Sequence, residues 1–277
     1  MKLKQILIQS KRAIFNHNIA NHPSHLLGEG MDFTGLREYA GGDDIKKIDH
    51  FATAKKQKPY VKIYKEEKEL NIVTISLLGG STYFGSCTLK KDFIARIVAL
   101  IGFSALKQSD RYSSYIFTNK MQHHTIESKK QSIITKAVEN ILEFNPILKK
   151  VDLDNLESSI LKHIKKKSLI FIIGDFFTTT TFKKLNIIHE IIPIIVRDKM
   201  EDDLPEFGNI NFKDPQTNRE YSFNIDKKTT NEYKKLVKTD DASLYKNFKK
   251  DRVKFTKIYT DENPIKKLNK LFINRYL

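Results

Sequence analysis

Tryptophan is absent from this chain, cysteine occurs once, at Cys87, and arginine supplies only 8 of the 49 basic residues. A single cysteine excludes an internal disulfide and a cysteine-built zinc site, and it fits a reducing, cytoplasmic setting. Scarce arginine argues against a dedicated nucleic-acid reader, which uses the guanidinium fork for bidentate contacts to phosphate and guanine. Long apolar runs are missing too. The longest, residues 93–106, is interrupted by Arg96, Gly102 and Ser104, and falls short of the roughly 20 residues that a membrane-spanning helix needs. The first 14 residues carry lysines but no apolar run ending in a small-residue cleavage site, so no signal peptide is expected.

What is present is lysine. Of 49 basic residues, 41 are Lys, and against 33 acids they give a net charge of +16. Half of it lies in residues 211–277, where 17 basic and 9 acidic residues leave +8. Charge of this kind speaks to solubility and nonspecific attraction rather than to fold, and solvated lysine-rich helices are the first reading. A chain of 277 residues can bury about three quarters of its unfolded surface, enough for a full core without disulfide or metal.

Three stretches follow one another. Residues 1–24 hold a helical stripe, with Leu3, Ile6, Leu7, Ala13, Ile14 and Phe15 apolar, and then a linker. Residues 25–69 carry turn glycines at Gly28, Gly30, Gly35, Gly41 and Gly42, with a strand expected over 59–65. From residue 70 to 277, short β-rich runs at 71–78, 111–118, 168–174 and 188–196 alternate with helical spacing at 89–107, 129–144 and 153–164. This alternation predicts an α/β domain with a doubly wound, mainly parallel sheet, preceded by a β-containing module. Phe207 to Phe223 reads as a hairpin turning at Asp214-Pro215, followed by a helix over 229–250, a strand over 253–259 and a closing helix from Pro264.

Two places concentrate chemistry-bearing residues. Residues 30–50 gather Arg37, Asp43, Asp44, Asp49 and His50 among turn glycines. Arg37 paired with one of the aspartates, and an aspartate capping a short helix, would make this a structural module; the same residues exposed would make a partner-recognition surface. The second place is the strand-to-helix turn at 77–85, with Leu77, Gly79 and Ser81, and the position after the strand at 168–174, Asp175. Ligand sites in parallel sheets lie beyond the carboxyl ends of the strands, so Ser81 and Asp175 are expected at one sheet edge. The turn lacks the Gly-Lys-Ser/Thr of a phosphate loop and the Gly-x-Gly-x-x-Gly of a dinucleotide site, and no cofactor is expected. Cys87, His123 and His124 offer no nucleophile, base and orienting-carboxylate spacing, and 121–125 reads as an exposed loop. Asp49 with Glu66, Glu67 and Lys68 could imitate a metal-dependent nuclease, a weak pattern in a chain with 41 lysines.

Taken together, Gly28-x-Gly30-x-Asp32-Phe33, Leu36-Arg37-Glu38-Tyr39-x-x-Gly42-Asp43-Asp44, Ile48-Asp49-His50, Ala54-Lys55 and Tyr64-x-x-Glu67 resemble the signature of the bacterial family called domain of unknown function 58. Arg197-Asp198, Asp203-Leu204-Pro205 and Asp214-Pro215-x-Thr217 are similar to its C-terminal part; His50 stands where the family usually has Trp. The resemblance implies a von Willebrand factor A-like domain. In such domains the first strand leads into Asp-x-Ser-x-Ser, which holds Mg²⁺ with a later Thr and Asp. The corresponding positions here are Leu77, Gly79 and Ser81, so a degenerate adhesion site with no resident metal is expected. The resemblance further implies a partner, a MoxR-type AAA+ ATPase, and a non-enzymatic role in assembly or maturation of client proteins, with Arg37, Asp43, Asp44, Asp49 and His50 as contacts. The competing expectation is a lysine-rich nucleic-acid-binding protein or nuclease.

Overall fold

A computed structural model of the protein describes residues 3–16, 32–65 and 69–273. The chain divides into two units, residues 26–70 and residues 1–25 with 71–277. Helix α1 (Leu3–Asn16) thus belongs with the α/β unit, although the sequence set residues 1–24 apart. Its apolar stripe is the reason: Ile6 and Ile14 are buried, and Lys107 Nζ donates to the Ile14 carbonyl at 3.0 Å. Gly28, Gly30, the 17–24 linker and Glu66–Lys68 lie outside the described residues.

In the smaller unit, strand β1 (Asp32–Glu38) pairs antiparallel with β2 (Tyr60–Lys65), and helix α2 (His50–Lys56) lies between them in sequence. The turn-glycine stretch therefore contains a strand, whose register shifts between Phe33 and Gly35. Val61 on β2 is buried and bridges to Ile48.

The larger unit is built on β3 (Asn71–Leu77), β4 (Arg111–Phe117), β5 (Met121–His124), β6 (Leu169–Gly174), β7 (Glu190–Arg197) and, after a separate hairpin β8 (Gly208–Lys213) and β9 (Glu220–Ile225), β10 (Thr256–Tyr259). The six-stranded sheet has the order β10-β7-β6-β3-β4-β5, parallel except for β5. Residues 121–125 are therefore not a loop but include the antiparallel edge strand β5. Its histidines earn that place through rings: His124 stacks on Tyr115 and His123 meets the Phe144 edge. Pro193 sits within β7, but pairing to β10 starts only at Ile194, so its missing N–H falls where β7 has one neighbour.

Helices flank this sheet: α3 (Lys90–Lys107), α4 (Gln131–Glu143), α5 (Leu156–His163), α6 (Leu185–Ile188), α7 (Lys199–Asp202), α8 (Lys227–Lys250) and α9 (Pro264–Ile273). Alternate strand residues divide between two layers. Val73, Ile75, Leu77, Ile170, Ile172 and Ile195 join Leu156 and Ile160 of α5, Leu244 and Phe248 of α8 in one apolar cluster. Each such side chain contributes about 1.5–3 kcal/mol on burial. Elsewhere the buried Tyr112 hydroxyl satisfies Thr74 Oγ1 at 2.7 Å. Gly102 of α3 lies so near Tyr112 and Ile134 of α4 that a methyl group there would stand 3.0 Å from Ile134. Among the described residues no helix is long and apolar enough to cross a membrane.

Candidate functional site

The chain enters the sheet at β3, runs outward to β4 and β5, then returns to β6, β7 and β10 on the other side of β3. The strand order reverses between β3 and β6, and their carboxyl ends open a crevice there. Leu77, Ser81, Lys150, Val151, Asp175, Phe177 and Gln216 are among the residues lining it, around a volume of about 80 Å³.

Each predicted residue at this edge has a definite position. Leu77 is buried and its Cβ would lie 2.6 Å from a Cβ at position 174, which is why Gly174 ends β6. Gly79 is packed against Val151 and Lys149, and its carbonyl accepts from Thr82 Oγ1 at 2.7 Å. Ser81 and Asp175 line the same crevice, and the Ser81 hydroxyl helps to hold the Asp175 carboxyl low, so the structure does bring these two together. Phe176, next in sequence, takes φ +48°, a left-handed conformation uncommon for an aromatic residue, and its ring is locked against Phe182 and Phe248.

The residue at the centre is one the sequence did not single out. Lys90, the first residue of α3, is fully buried; its ammonium donates to Asp175 Oδ2 at 3.1 Å and to Glu201 Oε1 at 2.5 Å. A cation at a helix N-terminus is at the unfavourable end of the dipole, so the carboxylates must hold it there. Phe177 lies beneath both cations of the edge, 4.8 Å from Lys90 Nζ and 3.7 Å from the Arg197 guanidinium. Arg197, at the end of β7, is buried, donates to the Phe176 carbonyl at 3.3 Å and faces Asp241 of α8 at 3.4 Å. Lys257 of β10 pairs with Asp241 at 2.8 Å and with Asp202, and the Tyr259 hydroxyl donates to Asp202 at 2.5 Å.

Asp198 follows Arg197 and is wholly buried. It caps α7 through the Met200 N–H, with Glu201 returning the bond to complete a capping box, and it accepts from Ser86 N–H, Ser86 Oγ and Thr260 Oγ1. The spacing Asp-x-x-Glu at 198–201 is the one sequence signal that could have flagged Glu201. Lys90 carries none, being one lysine among 41.

These surroundings set the titration. Burial pushes the Asp175 carboxyl up, but Lys90, Ser81 and Arg197 more than reverse this and hold it below the usual range. For Asp198 burial is likewise outweighed, by Thr260, Ser86 and Met200. Glu201 goes the other way, since burial prevails over Lys90. His189, buried before β7 with neither ring nitrogen partnered among the described residues, is held low by burial. For His189 the unfolded chain takes up a proton first as the pH falls through about 6.5, so stability starts to decline there. For Asp175 and Asp198 the native chain stays ionised below the unfolded value of about 3.9, so their contribution is complete above it and is lost below it. Glu201 acts in the opposite sense, favouring the fold as the pH drops. Urea midpoints measured against pH should show two acid steps, the upper one removed by His189→Leu; a midpoint flat from neutrality to below 3.9 would contradict these assignments.

In the smaller unit the aspartates are structural partners. Arg37 makes a two-bond pair with Asp43 at 2.6 and 2.5 Å. Asp44 caps the 3-10 turn Ile45–Lys47, and Asp49 caps α2 through the Ala52 N–H while facing Lys62 at 3.5 Å. His50 is exposed at the start of α2. Asp49 is thus committed to a helix cap, and the nuclease pattern that needed it with Glu66 and Glu67 extends outside the described residues. Among the described residues no group of three or more His, Cys, Asp or Glu is placed to hold a metal ion.

Comparison with known proteins finds relatives of the chain. A family model described as protein of unknown function DUF58 matches residues 35–243. Uncharacterized proteins of Mycobacterium bovis and Mycobacterium tuberculosis are 23% identical across 74% of this chain and 67% of their own length. Among solved structures, the conserved hypothetical protein BatB from Bacteroides thetaiotaomicron is similar at 9% identity and a TM-score of 0.42, covering 74% of this chain and 98% of that one. An aerotolerance-related membrane protein from Bacteroides fragilis, carrying mutations to serine, is similar at 11% identity and a TM-score of 0.44, with coverage of 74% and 99%.

Proposed function

This chain belongs to the DUF58 family of proteins of unknown function, and from that premise we propose that it is a non-enzymatic protein-interaction module acting in the cytoplasm. Its α/β unit is a von Willebrand factor A-like domain with a degenerate adhesion site, and its partner is a MoxR-type AAA+ ATPase that works on client proteins. The observation that carries this reading is Lys90. Where such a domain would place a divalent cation, the chain supplies its own ammonium, already bonded to Asp175 and Glu201.

The residues present do not fit a hard cation, which takes about six oxygen ligands. Leu77 and Gly79 have no side-chain oxygen to offer, and of the remaining Ser81 and Asp175 the second is engaged by Lys90. Recognition at this edge is therefore independent of Mg²⁺. Titration calorimetry with Mg²⁺ and Mn²⁺ should register no micromolar binding; such an affinity, abolished by Asp175→Ala, would overturn this part of the proposal.

The 26–70 unit supports a docking role through two exposed apolar side chains, Ile45 at 71% and Phe51 at 92%. They flank the ion pair and caps formed by Arg37, Asp43, Asp44 and Asp49, which shape the surface and border it with charge, next to His50. Phe51→Asp should abolish co-purification with the ATPase and leave the circular dichroism spectrum unchanged. Undiminished capture would count against this surface.

A further inference from the structure

Helix α8 runs for 24 residues, about 36 Å at 1.5 Å per residue. At 100° per residue, Tyr233, Val237, Leu244 and Phe248 fall on one face, with Leu244 and Phe248 fully in the core. The opposite face carries Lys227, Lys228, Lys235, Lys238, Lys246, Lys249 and Lys250, all exposed, with Glu232 as its acid. None of the seven forms an ion pair among the described residues, whereas Lys234, to the side, pairs with Asp203. The stripe therefore carries an excess of positive charge, offset only in part by Glu232 and by Asp226 beside Lys228.

Directly before it stands the β8–β9 hairpin, which ends two residues ahead of α8 with the Asp226 cap between them. Register pairs Ile210 with Phe223 and Phe212 with Tyr221, so all four share one face. The rings of Phe212 and Tyr221 each contact that of Phe223, yet Tyr221 is 43% and Phe223 50% exposed. The other face carries Asn209, Asn211, Ser222 and Asn224. An aromatic face left open on a two-stranded hairpin, followed directly in the chain by a helix with a lysine stripe, has two needs at once: apolar cover and negative charge.

We propose that α8 and the β8–β9 hairpin form a peripheral docking surface for an anionic phospholipid bilayer, independent of the role proposed above. Lysine ammonium groups are attracted to a layer of headgroup charge without needing fixed geometry, and Tyr and Phe rings settle at the headgroup boundary. A nucleic-acid groove would interleave arginine and aromatic residues along the strand path. Here the exposed face of α8 has no arginine and no aromatic residue, and the rings are gathered at one end.

Co-sedimentation of the full chain with phosphatidylcholine vesicles, with and without phosphatidylglycerol, tests this. Binding should require phosphatidylglycerol and weaken as salt is raised. Lys235→Glu/Lys238→Glu/Lys246→Glu should lower partitioning by at least about fivefold per lysine lost. Phe223→Ser should weaken binding that persists at high salt; both variants alter exposed side chains and should keep the parent's circular dichroism spectrum. No binding to phosphatidylglycerol vesicles at low salt, equal binding to phosphatidylcholine alone, or capture of duplex DNA in preference to vesicles would overturn it.

Discussion

Lys90→Met should cost about 3–5 kcal/mol of folding stability, read from urea denaturation, although it preserves side-chain length and apolar volume. The physical reason is what it leaves behind. Asp175 and Glu201 converge on the same ammonium from the ends of β6 and α7, and without it Glu201 loses its cation and Asp175 keeps only the more distant Arg197 charge. A domain of this size has a margin of roughly 5–15 kcal/mol, so the variant should be near the limit of folding. Replacing all three groups, Lys90→Met with Asp175→Asn and Glu201→Gln, should restore most of the loss, since removing a buried ion cluster whole costs far less than breaking it. A single variant that loses under about 1 kcal/mol would show that water, and not Lys90, neutralises these carboxylates.

Asp198→Ala should destabilise the protein by about 3 kcal/mol in the same measurement. The carboxylate is buried and accepts from Ser86 N–H at 2.8 Å, Ser86 Oγ at 2.9 Å, Met200 N–H at 3.0 Å and Thr260 Oγ1 at 2.7 Å. One side chain thus ties the loop before α3, the start of α7 and the end of β10. Bonds to a charged acceptor contribute about 1.5–3 kcal/mol each, but they share one acceptor and do not add. Asp198→Asn keeps the shape without the charge, and should fall between the parent and Asp198→Ala. Because the Lys90 N–H donates to the Phe84 carbonyl in the same loop, loss of Asp198 also loosens the seat of the buried lysine. If Asp198→Ala melts like the parent, the three segments are held by packing alone.

How far the sequence foretold these two residues differs from how far it foretold the sheet. Strand β6 is an uninterrupted apolar run, LIFIIG, and β3, NIVTISL, is a mainly apolar and β-branched one that buries Thr74 and Ser76 as well, because both faces of a central strand are covered. Their type and place follow from that alone, as does the meeting of Ser81 and Asp175. Strand β1 is hidden by glycines that favour turns, and β5 by a run of polar residues tolerated only at a sheet edge, where ring contacts replace burial. Arg37 and the aspartates around it were legible as ion pairs and caps, since those bonds are local in sequence. Lys90 was not, because its partners stand 85 and 111 residues away and only the closed sheet brings them together.

The two ends of the sheet carry a further consequence. β5 and β10, its outermost strands, are only four residues each, and β10 carries the paired Lys257. Strands this short, one of them charged, offer a poor template for an incoming peptide backbone. The partner proposed above would therefore have to read side chains rather than add a strand to this sheet, and a surface of that kind can drift in sequence without disturbing a single backbone hydrogen bond of the core.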